Sequence, residues 1–426
     1  MAQVSFMLLG VVDTIMLGRL GVQELAGATL GHVWLYSSMM FSFGFIFGTD
    51  PIITQAHGRG DGGRIARSLQ RALVITCTLF LPLAGLWLIT EPVLLFLKQD
   101  PELAIIARRY VWIQIPSIIP ALAYFAFRQY LLGRGIVRPP MYISFVAVGL
   151  NILFNWVFIF GNLGVPAMGV EGAGLATALT RFMNLFLIIG VIRLLKLHHG
   201  AWVPWSRRTF RWSAFKEIVH FGIPVSFQIS LEMWAFQIST LLAGKLGAIP
   251  LAAHTVSLNI ASVVFMVPLG LSMATVTRVG NLIGEGKQEI AQRVAWISLG
   301  LGAVIMSIAA VSLMLFRYGL PKLYTPDLSV IEIAAGILPI AAAFQLFDGI
   351  QVVGGGILRG MGHTRPAAIF NFVGYYILAL PLGAYLAYRK GFGVDGIWWG
   401  LCLGLAVISI LLLYWVKNRG PAHVEP

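Results

Sequence analysis

The chain has little charge, little cysteine and none of the loops that cradle a nucleotide. Asp, Glu, Lys and Arg make up 11% of its 426 residues, where a soluble domain carries about 25%. Hydrophobic residues reach 58%, with a mean hydropathy of +0.83. That is more apolar surface than one water-facing core can bury, so the class is a polytopic membrane protein. The two cysteines, Cys77 and Cys402, lie far apart inside apolar runs. They read as small packing residues and argue against a disulfide or a thiolate metal site. No G-x-x-x-x-G-K-[ST] loop occurs, which argues against an ATP-driven pump carried on one chain. Neither H-E-x-x-H nor G-x-S-x-G occurs, so a membrane-embedded enzyme lacks its catalytic constellation. No cleavable leader is read, since the first apolar run belongs to the body of the protein.

What is present is a series of apolar runs near twenty residues long, punctuated by Gly, Pro and charge. Twelve transmembrane helices are expected, at about 2–18, 30–56, 69–90, 104–132, 141–161, 171–194, 215–243, 251–281, 290–316, 331–358, 366–388 and 394–416. The net charge of +13 gathers in the short loops between them, a positive-inside signal and not a nucleic-acid footprint. With both termini placed in the cytoplasm, 19 of the 30 Lys and Arg fall on the inner side. The stretch His198–Glu217, rich in Trp and Arg, divides the chain. It reads either as an interfacial segment on the inner leaflet or as a plain linker.

The two halves resemble each other. A shift of 226 residues sets "GRLGVQELAGAT" on "GKLGAIPLAAHT", and residues 13–67 match 239–293 at 13 of 55 positions. Gly44 then meets Gly270, and Gly58 and Gly60 meet Gly284 and Gly286. The expected architecture is all-α: two six-helix lobes, residues 1–197 and 215–426, joined by a cytoplasmic linker at 198–214. An even number of helices per repeat implies a pseudo-twofold along the membrane normal, a mark of secondary transporters. The start of the seventh helix maps to a point before Met1, so the first helix is expected to lack its inner end.

Three acids lie deep in apolar helices: Asp13, Glu232 and Asp348. A charge at mid-membrane costs ~2.5–3.5 kcal/mol on insertion scales, which makes each a candidate functional group. A carboxylate can hold a proton, or Na+ together with neutral oxygens. Asn151 and Asn155, four residues apart, share one helix face. They are placed to hydrogen-bond Asp13, to offer carbonyl oxygens to an ion, or to join helices. Thr177 is a further member of that group, and Arg181 is a counter-charge to a carboxylate, a structural ion pair or a snorkelling side chain. Asp50, before Pro51, lines a cavity or breaks its helix. Aromatic residues including Trp34, Tyr36, Phe227, Trp234, Phe236, Phe344 and Phe347 either line a cavity for flat organic cations or pack against neighbours and lipid. The glycine-rich "GGGILRGMG" reads as close packing or a kink.

The segments "VDTIMLGRLGVQELAGATLG", "LAAHTVSLNIASVVFMVPLGLSMATVTRVGNLIGEGK" and "FQLFDGIQVVGGGILRGMGHTRPA" resemble the MATE family of multidrug and toxic-compound extrusion transporters, over the whole chain. Glu232 and Asp348 beside Asp13 resemble its NorM-like branch rather than its DinF-like branch. The resemblance implies a V-shaped transporter of two six-helix lobes in a cell membrane, the bacterial inner membrane, working as a monomer without a cofactor. It implies export of cationic amphipathic compounds in exchange for Na+ or H+. Asp13, Asn151 and Asn155 would then form an ion site in the first lobe, and Glu232 and Asp348 a cation site, open to Na+, in the second. Apart from the resemblance, Trp34, Asp50, Thr177, Trp234 and Phe344 are the candidates for lining the substrate cavity. A flippase for lipid-linked glycan precursors is the alternative, but such a protein favours a basic cavity, and these helices offer carboxylates.

Overall fold

The computed structural model describes residue 10 and residues 12–424, and nearly all of them are helical. Helix α1 occupies residues 12–17; the earlier part of the expected first span lies outside the described residues. Helices α2 (Val22–Phe47) and α3 (Asp50–Gly58) follow, one 37-residue span broken at Gly48 and Thr49. Next come α4 (Gly62–Leu88), α5 (Thr90–Phe96), α6 (Pro101–Trp112), α7 (Ile118–Gly133), α8 (Arg138–Phe160) and α9 (Gly169–Leu194). The second half holds α10 (Trp212–Gly244), α11 (Ala248–Gly284), α12 (Gln288–Leu315), α13 (Gly319–Lys322), α14 (Leu328–Met361), α15 (Thr364–Asn371), α16 (Leu380–Ala384) and α17 (Gly393–Arg419).

Among the described residues nine helical segments are long and apolar enough to cross a bilayer, and the pair α6 and α7, bent by 42°, makes a tenth. With the 33-residue α10 and α1 they account for the twelve expected helices. Several begin earlier than hydropathy predicts because polar caps extend them. Asp61, Asp100 and Asp327 each accept a backbone N–H of the first turn of α4, α6 and α14, satisfying donors that a helix start leaves open. Pro381 cannot donate a backbone hydrogen bond, and the runs on either side of α16, Phe372–Ala379 and Tyr385–Arg389, take the wider π-helical form.

The chain forms two compact units. The first runs to Thr49 and from Gly60 to Val219; the second takes Asp50–Arg59 and everything from His220 onward. Two features depart from the expected boundaries. The stretch between α9 and α10 is not a loose linker, because side chains of α4 and α7 hold its backbone to the first unit. Gln70 Nε2 donates to the Val203 carbonyl at 2.7 Å, Tyr130 Oη to that of Ala201 at 3.0 Å, and Arg71 to those of Arg208 and Thr209, both at 3.0 Å. The second departure is α3, which belongs to the second unit and lies along α11.

That contact explains glycines shared by the two repeats. A Cβ on Gly58 would overlap the Asn281 carbonyl, and one on Gly284 would overlap the Gln55 carbonyl. Gly58 and Gly284 are repeat equivalents, as are Gln55 and Asn281. Corresponding segments of the two repeats therefore touch each other backbone to backbone, which only glycine permits.

In the second unit α14 is the central helix, buried without interruption from Gln351 to Met361. Its three consecutive glycines face three different neighbours, as a rotation of about 100° per residue dictates. Added Cβ atoms would lie 3.2 Å from Leu412 of α17 at Gly354, 2.6 Å from the Gln228 amide of α10 at Gly355, and 2.9 Å from the Ser272 carbonyl of α11 at Gly356. The glycine-rich run is thus a close-packing device within an unbroken helix.

Candidate functional site

Each unit buries its own polar cluster. In the first, Asp13 projects from α1 and is 8% exposed. Asn155 Nδ2 of α8 donates to Asp13 Oδ1 at 2.5 Å, and Thr177 Oγ1 of α9 donates to Oδ2 at 3.2 Å. Asn155 Nδ2 also donates to Asn151 Oδ1 at 3.2 Å, so one amide nitrogen bridges the carboxylate and the amide oxygen on the same helix face. Arg181 Nη1 donates to Ser117 Oγ at 3.0 Å, and its charge acts on Asp13 and on the buried Tyr110. Asn155 Oδ1 is buried without a hydrogen-bond partner.

In the second unit Glu232 of α10 faces α14 and α15. Gln351 Nε2 donates to its Oε2 at 2.9 Å, and Asn371 Nδ2 donates to the same oxygen at 3.3 Å. Asn371 also donates to the Gln228 carbonyl at 3.3 Å, and its Oδ1 accepts from Gln351 at 3.4 Å. Asp348, one turn before Gln351, is 4% exposed and lies within electrostatic reach of Glu232. Asp348 Oδ1, Gln351 Oε1 and the Tyr375 hydroxyl are all buried without a partner. An unsatisfied buried polar atom costs about 1–3 kcal/mol; three in one cluster form an oxygen-lined site that a cation, proton or water would satisfy. The donors available are carboxylate, amide and hydroxyl oxygens, a hard-ligand set. Among the described residues no group of three or more His, Cys, Asp or Glu side chains gathers as a metal site.

The structure brings Asp13, Asn151, Asn155 and Thr177 into one group, and sets Glu232 with Asp348 in another. Asp50 opens α3 in the second unit, and its charge, like that of Glu232, acts on the buried Arg359. The helix break precedes it, at Gly48 and Thr49. Trp34 is half-buried on α2, and Trp234 is 37% exposed on α10. Phe344 departs from the expected cavity wall. It is 2% exposed, with its ring against Phe236 and Trp398 at centroid distances of 6.0 and 5.7 Å. Its place at the heart of α14 turns it into the core.

Sequence reasoning missed Tyr110, Gln351, Asn371 and Tyr375. Gln351 carried a signal, since it stands three residues after Asp348 and so on the same helix face. Asn371 carried only its polarity within an apolar run.

Residues 1–157 and 224–385 match the family model described as MatE. A probable multidrug resistance protein NorM of Rhizobium meliloti (strain 1021) is 34% identical over 422 residues, covering 96% of this chain and 89% of the relative. Multidrug and toxin extrusion protein 1 of Xenopus tropicalis is 31% identical, covering 98% of this chain and 72% of the relative. The crystal structure of a eukaryotic MATE transporter, AtDTX14, has the same fold at a TM-score of 0.91 and 21% identity, covering 99% of this chain and 93% of that chain. A MATE family transporter of the MOP superfamily, solved in an outward-facing conformation, has a TM-score of 0.88 at 19% identity, covering 98% of this chain and 92% of that chain.

Proposed function

The chain belongs to the MatE family, and on that premise we propose that it is a secondary antiporter exporting cationic amphipathic compounds in exchange for Na+ or H+. It is a multi-pass membrane protein of the multidrug-extrusion kind and not an enzyme. The observation that carries the finer reading is the pair of buried oxygen clusters, one around Asp13 and one around Glu232 and Asp348. A carboxylate inside the membrane is costly, so its presence marks a functional group, and carboxylates attract cations. Asp13, Asn151, Asn155 and Thr177 are assigned to the coupling ion in the first unit. Glu232 and Asp348, with Gln351 and Asn371, are assigned to a cation in the second. Trp34 and Trp234 are assigned to the substrate path.

Ion and substrate need not meet. Coupling requires that each bind the two access states with different affinity, so an ion that prefers one state drives release of a substrate that prefers the other. Both clusters lie in one chain, so a single copy carries the whole apparatus. The excess of basic loops on one side supports both termini in the cytoplasm, and the similarity to bacterial NorM proteins supports residence in the bacterial inner membrane.

The test is dye export from proteoliposomes under an imposed Na+ gradient or pH gradient, one at a time. Export driven by either gradient identifies the coupling ion. Export that responds to neither refutes antiport.

A further inference from the structure

The stretch between α9 and α10 combines rigidity with an outer surface of unusual composition. Six hydrogen bonds from Gln70, Arg71, Tyr130 and Arg134 reach carbonyls between Leu197 and Thr209, and the Thr209 hydroxyl returns one to Gln70 at 2.6 Å. Ala201 and Thr209 are buried, at 2% and 0% exposure. The side chains between them turn outward. Trp202, Trp205 and Trp212 are 47%, 49% and 71% exposed, and Arg207, Arg208 and Arg211 are all exposed. No acidic residue occurs from Leu195 to Lys216, and the next one, Glu217, is already paired with Arg64.

This surface sits where α4 and α10 begin and α7 and α9 end, so it lies at the level where membrane spans leave the bilayer. Indole rings favour the headgroup boundary, and arginine pairs with phosphate through a bidentate fork. The backbone is already ordered by the protein, so binding there spends little on conformational entropy. We propose that the segment is a binding surface for anionic phospholipid headgroups: Arg207, Arg208 and Arg211 receive the phosphates, while Trp202, Trp205 and Trp212 seat the segment in the interface. Charge complementarity and position select lipid as the occupant. The inference stands apart from the transport reading, because it needs only that the flanking helices span a membrane.

The test uses the full chain in detergent with equimolar phosphatidylglycerol and phosphatidylcholine, and counts retained lipid by native mass spectrometry. The parent should retain phosphatidylglycerol preferentially. In Arg207→Gln/Arg208→Gln/Arg211→Gln that retention should fall on the order of tenfold to a hundredfold, with phosphatidylcholine unchanged. Equal retention of phosphatidylglycerol by parent and variant overturns the proposal. So does displacement of the lipid by millimolar inorganic phosphate, which marks a site for free anions, and so does a parent dimer that the variant loses, which marks a surface between copies. A second measurement covers the aromatic half in vesicles. Brominated phosphatidylglycerol should quench the parent more than Trp202→Phe/Trp205→Phe/Trp212→Phe, and equal fractional quenching of the two overturns the seating.

Discussion

Replacing Asp13 by Asn separates a structural carboxylate from a working one. The carboxylate accepts from Asn155 at 2.5 Å and from Thr177 at 3.2 Å. An asparagine amide keeps that shape: its oxygen accepts from Asn155, and its nitrogen donates to the Thr177 hydroxyl, which turns to the backbone. Each charge-assisted bond becomes a neutral one, falling from about 1.5–3 to about 0.5–1.5 kcal/mol, a loss of about 1–1.5 kcal/mol apiece. Against this, the variant no longer holds a charge in the membrane, a cost of ~2.5–3.5 kcal/mol on insertion scales. The two effects nearly cancel, so Asp13→Asn should unfold within about 1 kcal/mol of the parent. Asp13→Leu is relieved of the same charge but keeps neither hydrogen bond. It loses both charge-assisted bonds outright, at about 1.5–3 kcal/mol each, and leaves Asn155 Nδ2 with Asn151 Oδ1 as its remaining acceptor while the Thr177 hydroxyl turns to the backbone. Thermal unfolding in detergent should therefore rank the parent and Asp13→Asn together, with Asp13→Leu below them. Gradient-driven dye export should fall to the level of protein-free vesicles in both variants. Unchanged export by Asp13→Asn would refute the role given to Asp13, and an Asn variant as unstable as the Leu variant would refute the hydrogen-bond accounting.

Further outcomes follow from other contacts. Gln351→Leu removes the 2.9 Å bond to Glu232, so it should destabilise the fold by about 1.5–3 kcal/mol and reduce export; full activity at parental stability would count against the second cluster. Gly284→Val places side-chain atoms on the Gln55 backbone and should cost about 1–3 kcal/mol by overpacking. Gly300→Ala, where an added Cβ meets nothing within 4 Å, should instead stabilise α12 by about 0.5–1 kcal/mol; thermal unfolding of the pair tests whether close approach alone sets the sign. Arg71→Gln removes the guanidinium that holds the carbonyls of Arg208 and Thr209, so hydrogen exchange and proteolysis should quicken between residues 198 and 211 while the helices stay protected. Parental protection there would show that the segment is held by other means.

Much of this molecule is written in one dimension. The partition of an apolar run between water and lipid depends on its own composition, so the spans could be read from hydropathy, and the 3.6-residue period put Asn151 and Asn155 on one face before any contact was known. The three acids stood out for the same reason, because a charge in an apolar run carries its cost locally. The shift of 226 residues disclosed the repeat, yet not why Gly58 and Gly284 are both glycine. Only the meeting of α3 with α11 answers that. Tertiary structure alone also decided that Gln351 and Asn371, 119 and 139 residues from Glu232, reach the same carboxylate oxygen. It assigned Asp50 to the second unit, turned Phe344 into the core, and bound the stretch before α10 to α4 and α7. Each of these depends on how a helix is rotated about its axis and which neighbour its small residues admit, and interdigitating side chains set that rotation.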